Sequence, residues 1–318
     1  MNTRTRATAT LITLGVTAAS LAGAVVAAQA AAKPSSVTIV AYDSFTPSKG
    51  VFDSFTKRTG IAVKVVTAGD GGQMVNKAIL TKSDPLGDVL WGVDNTFLSR
   101  ALKADIFDPY RSSAPIDSEL RKLVPHDEVT PVDYGDVCIN YDKAKWPKPP
   151  ASLEDLARPA MARQLVVESP ATSSTGLAFM LGTIAHFGES GWRTYWARLR
   201  AGGIKVVDGW DAAYNTEFSG SGGGGKRSLV VSYGSSPPAA VLFGKDPKAK
   251  VSPIGVVAST CFRQVEFAGI LRNSKRTAEA RAVIDFLVGP EFQADLPLSL
   301  FVFPARTGVA WQIGRAHV

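Results

Sequence analysis

Short apolar runs alternate with stretches of helical periodicity in the first third of the chain. After the first run, Val51, Phe52 and Phe55 fall on one helical face, and Gly60 ends that pattern. The same order then repeats twice. The pattern predicts strands over 37–42, 62–68 and 88–93, and helices ending before Gly60, over 73–81 and around 97–102.

A second series with the same alternation follows in the middle of the chain. Strands that alternate with helices are typical of parallel sheets with helices on both faces, so each series predicts an α/β unit. Two similar units imply two lobes. The predicted strands are 165–168, 204–207 and 228–232, and the predicted helices are 176–187 and 212–218.

An apolar and aromatic stretch, 133–141, separates the two series and could cross between the lobes, with 263–271 as a matching return. A closing helix is predicted over 276–287. The last six residues continue no packing pattern and read like a translated sequencing adapter, so we expect a non-native end. The predicted organisation is a first lobe of 31–137 completed by 261–312, a second lobe of 138–260, and the suspect end 313–318.

The N-terminus has the pattern of an export signal. Arg4 and Arg6 precede an Ala-rich apolar stretch that ends in Ala28-Gln29-Ala30, a small-x-small cleavage pattern. A membrane anchor is the alternative, but the stretch is shorter and more polar than the roughly 20 apolar residues of a spanning helix. We therefore expect 1–30 to be a cleaved signal peptide and the protein to be periplasmic or otherwise extracytoplasmic.

Composition excludes little, because 45% hydrophobic and 20% charged residues are ordinary for a globular protein. The formal charge of +7 falls to about +5 without Arg4 and Arg6, and the remaining Lys and Arg are scattered, so we expect no nucleic-acid partner. Cys138 and Cys261 form no metal-ligand or redox motif. They could pair in an oxidising compartment, and the sequence leaves this open.

Acidic, aromatic and hydroxyl side chains follow the predicted strands, at the edge where open α/β sheets bind ligands. Each Asp taken singly is a common helix cap, but the topology directs all six strand ends towards one cleft. Because aromatic faces and carboxylates both attract cations, the cleft suits a flat cation. The residues are Asp43, Asp70 and Asp94 in the first series, and 169–175, Trp210 and 233–236 in the second.

Catalytic patterns are scarce. His126 and His186 have no His or Cys neighbour at ligand spacing, and no nucleophile elbow is present in the sequence. The segment 220–227 fits most of a phosphate-loop pattern, but it follows a helix and has Arg227 in place of the required Ser or Thr, so we interpret it as a flexible turn. We expect a protein that is not an enzyme, with no metal and no cofactor.

Several of these residues form short motifs: Tyr42-Asp43-Ser44-Phe45, Asp70-Gly71, Val93-Asp94-Asn95, Val132-Asp133-Tyr134-Gly135, Thr172-Ser173-Ser174, Gly209-Trp210 with Tyr214, Ser232-Tyr233 and Ser236-Pro237. In this order they resemble the thiamine-binding periplasmic proteins, over nearly the whole chain from Val37 to Pro304. The resemblance implies an α/β, two-lobed type II periplasmic binding protein fold, with a hinge and a ligand cleft between the lobes. It also implies delivery of thiamine or a thiamine phosphate to the membrane permease of an ABC importer, and we expect a monomer.

The expected mechanism is closure of the two lobes on one ligand. Aromatic rings would cover the aminopyrimidine and the thiazolium, the Asp side chains would balance charge or accept hydrogen bonds, and the Ser hydroxyls would take the hydroxyethyl arm or its phosphates. The Ser235-Ser236-Pro237-Pro238 segment predicts a helix start, which either holds a phosphate or is simply capped. The candidate ligand-binding residues are Tyr42, Asp43, Asp70, Gly71, Ser173, Ser174, Trp210, Tyr233, Gly234, Ser235, Ser236 and Phe301.

Two positions depart from the pattern of that family, since Phe301 stands where Trp is common and Ala239 where an aromatic is often found. The choice among thiamine and its phosphates is left open by these changes. A ferric-ion or other small-solute binding protein of the same fold is the nearest alternative, although Tyr233 has no adjacent Tyr. A secreted hydrolase of thiamine compounds and a structural or adhesive role are the remaining alternatives.

Overall fold

The computed structural model describes residues 35–244 and 248–310. The predicted signal peptide and the suspect last six residues lie outside this part. Within it, no helix combines the length and the apolar character that crossing a membrane requires.

Ten strands of the described part of the chain form one sheet. Its main path runs in the order β2-β1-β3-β9-β5-β8-β6-β7, with β4 paired to β9 and β10 paired to β5. The strands are β1 (Ser36–Ala41), β2 (Ala62–Thr67), β3 (Val89–Asp94), β4 (Phe107–Asp108), β5 (Thr130–Asp142), β6 (Leu165–Glu168), β7 (Lys205–Val207), β8 (Leu229–Tyr233), β9 (Ile254–Leu271) and β10 (Phe303–Pro304).

Within residues 35–244 and 248–310, ten α-helices surround this sheet, and a π-helix, Ala212–Glu217, replaces the α-helix predicted over 212–218. The α-helices are α1 (Asp53–Thr59), α2 (Gly71–Leu80), α3 (Leu98–Lys103), α4 (Ser118–Arg121), α5 (Leu153–Leu156), α6 (Pro159–Ala162), α7 (Ser174–Ala201), α8 (Ser236–Leu242), α9 (Thr277–Leu287) and α10 (Pro290–Ser299).

The six predicted strands of the two series are confirmed to within one residue at each end. Strands β1, β2 and β3 are parallel to one another, and so are β6, β7 and β8. The two predicted crossing stretches form strands β5 and β9, which are longer than expected. Both strands run antiparallel to their neighbours. The sheet is therefore mixed, with two parallel outer parts. Helices α4, α5, α6 and α10 and strands β4 and β10 were not predicted.

The inner parallel strands β1, β3, β6 and β8 bury both faces, whereas the outer strands β2 and β7 are largely exposed or half-buried. In β1, Val37 and Ile39 pack with residues of α1, α9 and α10, whereas Val40 faces α2 and α3. In β6, Leu165 and Val167 pack against α7, whereas Val166 packs against the π-helix. Because successive strand side chains point to opposite faces, fully apolar strands of this kind need helices on both sides.

Strands β5 and β9 pair along nearly their whole length, from Thr130 opposite Ala268 to Asp142 opposite Ile254. The predicted lobe boundaries fall inside these two strands, so the sheet passes through them without interruption, and the lobe limits stay a prediction.

The pairing of β5 with β9 shifts register beside Cys138. Val137 pairs with Phe262 but Ile139 pairs with Val257, which leaves residues 258–261 of β9 bulged. The Ile139 N–H, which has lost its ladder partner, donates to Thr260 Oγ1 at 3.0 Å. Cys138 and Cys261 form a disulfide across the shift, which answers the question that the sequence left open.

We expect the double variant Cys138→Ser, Cys261→Ser to be less stable by about 2 to 4 kcal/mol, because the disulfide closes a long loop in the unfolded chain. Urea unfolding of both proteins, with and without reductant, measures this. Reductant should lower the midpoint of the wild type alone. Equal midpoints for the oxidised wild type and the variant would contradict the prediction.

Candidate functional site

A cavity of about 840 Å³ lies where several strands and helices end. Its volume is in the range of small-molecule sites. Residues following β1, β7, β8 and α10 line it, together with residues of α8, Asp142 of β5 and Glu266 of β9. The part of the lining that bears on the argument is Tyr42, Asp43, Asp142, Trp210, Asp211, Tyr214, Tyr233, Ser235, Ser236, Phe243, Glu266 and Phe301.

Three aromatic rings form one wall of the cavity. Trp210 stacks on Tyr214, with ring centroids 4.9 Å apart and planes 12° apart, and Tyr233 lies 6.3 Å away at a tilt of 54°. The indole N–H of Trp210 donates to Ser232 Oγ at 2.9 Å, which orients the ring. Tyr214 was not among the predicted site residues.

Two further rings meet at the cavity lining from different parts of the chain. Phe301, which follows α10, and Phe243, which follows α8, contact edge to face with centroids 5.5 Å apart. Phe301 has a φ of 58°, in the left-handed backbone region that residues other than glycine rarely adopt. Phe243 lies one helical turn after Ala239, so an aromatic side chain does reach the cavity from this helix, although the sequence analysis did not name it.

Asp70 joins two distant loops. One carboxylate oxygen accepts from the Gly71 N–H at 2.6 Å at the start of α2, and the other accepts from the Trp210 N–H at 2.8 Å. Its burial raises the pKa of Asp70, and these hydrogen bonds oppose that shift. Asp70 lines a separate cavity of about 200 Å³, to which Asp43 and Asp211 also contribute. Asp70 therefore positions the Trp210 loop.

Four predicted site residues do not reach the surface of either cavity: Gly71, Ser173, Ser174 and Gly234. The start of α7 packs directly against the start of α2, where a Cβ atom on Gly71 would come within 2.1 Å of Ser174 Oγ. Ser173 is buried and its hydroxyl lies 3.0 Å from Thr175 Oγ1. The other eight predicted residues lie at one cavity or the other.

The hydroxyl of Ser236 is engaged inside the protein. It lies 3.0 Å from Ser232 Oγ and accepts from the Tyr233 N–H at 3.3 Å. Ser235 lines the cavity and is the N-cap of α8, but its side chain makes no capping hydrogen bond. The helix start predicted here is confirmed.

Three carboxyl groups lie side by side across three adjacent strands. In the register of the sheet, Glu266 of β9 is directly opposite Asp94 of β3 on one side and Asp133 of β5 on the other. All three are buried, at 5% exposure or less, and only Glu266 lines the large cavity. The described residues form twelve ion pairs, and none of these pairs includes Asp94, Asp133 or Glu266.

The three carboxyl groups of this row differ in the hydrogen bonds that they accept. Asp94 accepts from Thr96 and from Gln264 Nε2, and the Tyr42 hydroxyl donates to Glu266 Oε2 at 3.0 Å. Neither carboxylate oxygen of Asp133 has a hydrogen-bond partner among the described residues, and its neighbour across the strands is Glu266. Glu266 lines the cavity but was not among the predicted site residues, although a lone Glu within the apolar run 263–271 was an available signal.

Burial without a counter-charge shifts the proton affinities in this region. It raises the pKa of Asp133 to about 8, and burial together with the neighbouring Asp133 and Asp94 raises the pKa of Glu266 well above its usual value. Burial also raises the pKa of Glu168, whose two carboxylate oxygens accept no hydrogen bond from the described residues. Asp133 and Glu266 therefore hold their protons to higher pH than exposed carboxyl groups do.

Metal ligands are not grouped in the described residues, where no cluster of three or more His, Cys, Asp or Glu is arranged to hold an ion.

The sequence model of the family described as "Bacterial extracellular solute-binding protein" matches residues 84–313. The chain is 29% identical over 287 residues to the thiamine-binding periplasmic protein of Brucella suis biovar 1, covering 87% of this chain and 81% of that protein.

Among solved structures, a periplasmic thiamin binding protein superposes with a TM-score of 0.76 at 27% identity, covering 88% of this chain and 86% of that one. Iron-bound HitA from Pseudomonas aeruginosa superposes with a TM-score of 0.66 at 20% identity, covering 88% and 89% of the two chains. At that identity the second likeness shows the fold alone.

We expect the ligand-free protein to lose stability as the pH rises from about 5 to 8.5. A carboxyl group whose pKa is raised on folding keeps its proton where the unfolded chain has lost it. The contribution of this proton to the free energy of unfolding is therefore complete below the pKa of the group in the unfolded chain, near 4. It is lost as the pH approaches the pKa in the folded protein, which is about 8 for Asp133. Each such proton contributes at most about 1.4 kcal/mol per pH unit.

Thermal melting across this range should show Tm falling by a few degrees per pH unit. The variant Asp133→Asn, which lacks the Asp133 carboxyl group and its titration, should show a shallower fall. Parallel curves for the two proteins would contradict this assignment.

Proposed function

This chain belongs to the family of bacterial extracellular solute-binding proteins, and from that premise we propose that it binds thiamine in the periplasm and delivers it to an ABC importer. The α/β, two-lobed type II fold expected from the sequence is confirmed by the mixed sheet and by the likeness to a periplasmic thiamin binding protein. The relatives it matches are named as binding proteins, so the proposed role is capture and release of an unchanged ligand.

One observation carries the choice of ligand. Among the described residues that line the large cavity, four are acidic, namely Asp43, Asp142, Asp211 and Glu266, and none is basic. The chain as a whole has a formal charge of +7, so this acidity is local. Together with the rings of Trp210, Tyr214 and Tyr233, it favours a flat cationic ligand over an anionic one. Thiamine has such a cation in its thiazolium ring.

The proposed ligand contacts follow from this lining. Trp210, Tyr233 and Phe301 offer ring faces, Asp43 and Glu266 offer carboxyl groups, and Ser235 offers a hydroxyl group. Four predicted residues would act indirectly, by holding the Trp210 loop and the starts of α2 and α7 together, without contacting the ligand. They are Asp70, Gly71, Ser173 and Ser174. Because phosphate groups would meet an acidic lining, we expect unphosphorylated thiamine to bind more tightly than its mono- and diphosphate.

The delivery step is proposed from the family and from the names of the relatives. It requires closure around the ligand, recognition of the closed form by a membrane permease, and release. We propose that the protein acts as a monomer. The ferric-ion alternative shares the fold, as HitA illustrates, and is distinguished by titration with ferric ion in place of thiamine.

We expect Trp210→Ala to weaken thiamine binding at least tenfold, the loss of about 1.4 kcal/mol, because the substitution removes a ring from the cavity wall. Titration calorimetry of the mature protein measures this.

Trp192→Ala is the matched control, since Trp192 lies on α7 outside the cavity lining. It should bind thiamine as the wild type does. Unchanged affinity in Trp210→Ala, with a normal melting curve, would contradict the role of the ring. Failure of the wild type to bind thiamine would reject the proposed function itself.

A further inference from the structure

The row Asp94, Glu266 and Asp133 has no counter-charge, although its middle member lies on the wall of the cavity. Like charges directly opposite one another on neighbouring strands repel, and a buried unpaired carboxylate is costly to ionise. Glu266 and Asp133 are directly opposite on adjacent strands. Two neighbouring carboxyl groups lower the cost by holding a proton between them, and they then titrate as a pair. The row is therefore stable only with protons or with a cation beside it.

We propose that Glu266 and Asp133 share a proton in the empty site and that a bound cation expels it, so that thiamine capture is coupled to proton release. The proposal rests on the proposed function and adds to it the group that recognises the charge. The proton leaves to solvent or buffer, and the ligand's own positive charge takes its place opposite the carboxylate.

Within the described residues, the titratable groups that face Glu266 all favour a protonated carboxyl group in the ligand-free protein. Tyr42 approaches from the end of β1, Asp94 from β3, Asp133 from β5 and Tyr233 from the end of β8, and all of these are acids or phenols. Arg263, also on β9, is turned to Asp136, with Nε 2.6 Å from Asp136 Oδ1. A ligand cation in the cavity would be the positive charge that the described surroundings of Glu266 lack.

Glu266 is also held in place for this role. The Tyr42 hydroxyl donates to Oε2, and the backbone of Glu266 is paired on both sides, to β3 and to β5. Asp133 lies behind it, fully buried and outside the cavity lining. A ligand therefore meets Glu266, and Asp133 acts through Glu266 by accepting or returning the shared proton. Glu266 would thus separate cationic ligands from neutral ones of the same shape.

A linkage follows from the proposal. If binding releases a proton, affinity rises with pH, by up to tenfold per pH unit for one proton released, over the range in which the empty pair is protonated. Acidification outside the membrane would weaken capture. A neutral ligand of the same shape would bind without this dependence.

The test is titration calorimetry with thiamine at pH 6, 7 and 8, each in two buffers of different ionisation enthalpy. The difference in heat between the buffers counts the protons released. We expect a substantial fraction of one proton per thiamine at pH 7, and none for 3-deazathiamine, in which a neutral thiophene replaces the thiazolium. An infrared band of a protonated carboxyl group should be present in the ligand-free protein and decrease when thiamine is added.

Glu266→Gln should abolish the proton release and lower thiamine affinity at least tenfold, while affecting 3-deazathiamine much less. Asp133→Asn should abolish most of the release with a smaller loss of affinity. Glu189→Gln, an exposed glutamate on α7, is the matched control and should behave as the wild type.

The outcomes separate the two proposals. Thiamine binding by the wild type without proton release, or with equal release in Glu266→Gln, would overturn the coupling and leave the proposed function standing. No thiamine binding by the wild type would overturn both, whatever the infrared band shows.

Discussion

The long antiparallel pairing of β5 with β9 is the constraint on which the rest of this structure depends. Strand β3 attaches to β9 and strand β8 attaches to β5, so the two parallel parts share one sheet only through this pair. The pairing also sets what lies abreast at the centre of the sheet. Because Glu266 is opposite Asp133 in this register, a shift of one residue would turn one of them to the other face.

This central position has an electrostatic consequence. Strands at the middle of a sheet are covered on both sides, so carboxyl groups there lose water without gaining a basic partner. The protein tolerates an arrangement that costs stability when empty, and a cation in the adjoining cavity offsets that cost. Binding energy and selectivity for positive charge then come from the same groups, which is a common relation between local destabilisation and function.

The contacts of Asp70 show how the aromatic wall is positioned from a distance. Its carboxylate ties the Trp210 backbone to the start of α2, while the indole N–H of Trp210 is tied to Ser232. Two hydrogen bonds, one to the loop and one to the ring, leave little freedom for a ring that stacks on Tyr214. The close approach at Gly71 and Ser174 belongs to the same contact and explains why small residues stand there.

The sequence by itself determined the elements and much of the wall of the site. Alternation of apolar positions is a local property, so the parallel strands, most of the helices and the residues that follow β1, β7 and β8 could be read from it. Which residues share a buried environment is decided by cross-strand register and by packing between distant segments. Only the tertiary structure therefore paired Cys138 with Cys261, placed Glu266 between Asp94 and Asp133, and buried Ser173 and Ser174 between helix starts instead of on the cavity surface.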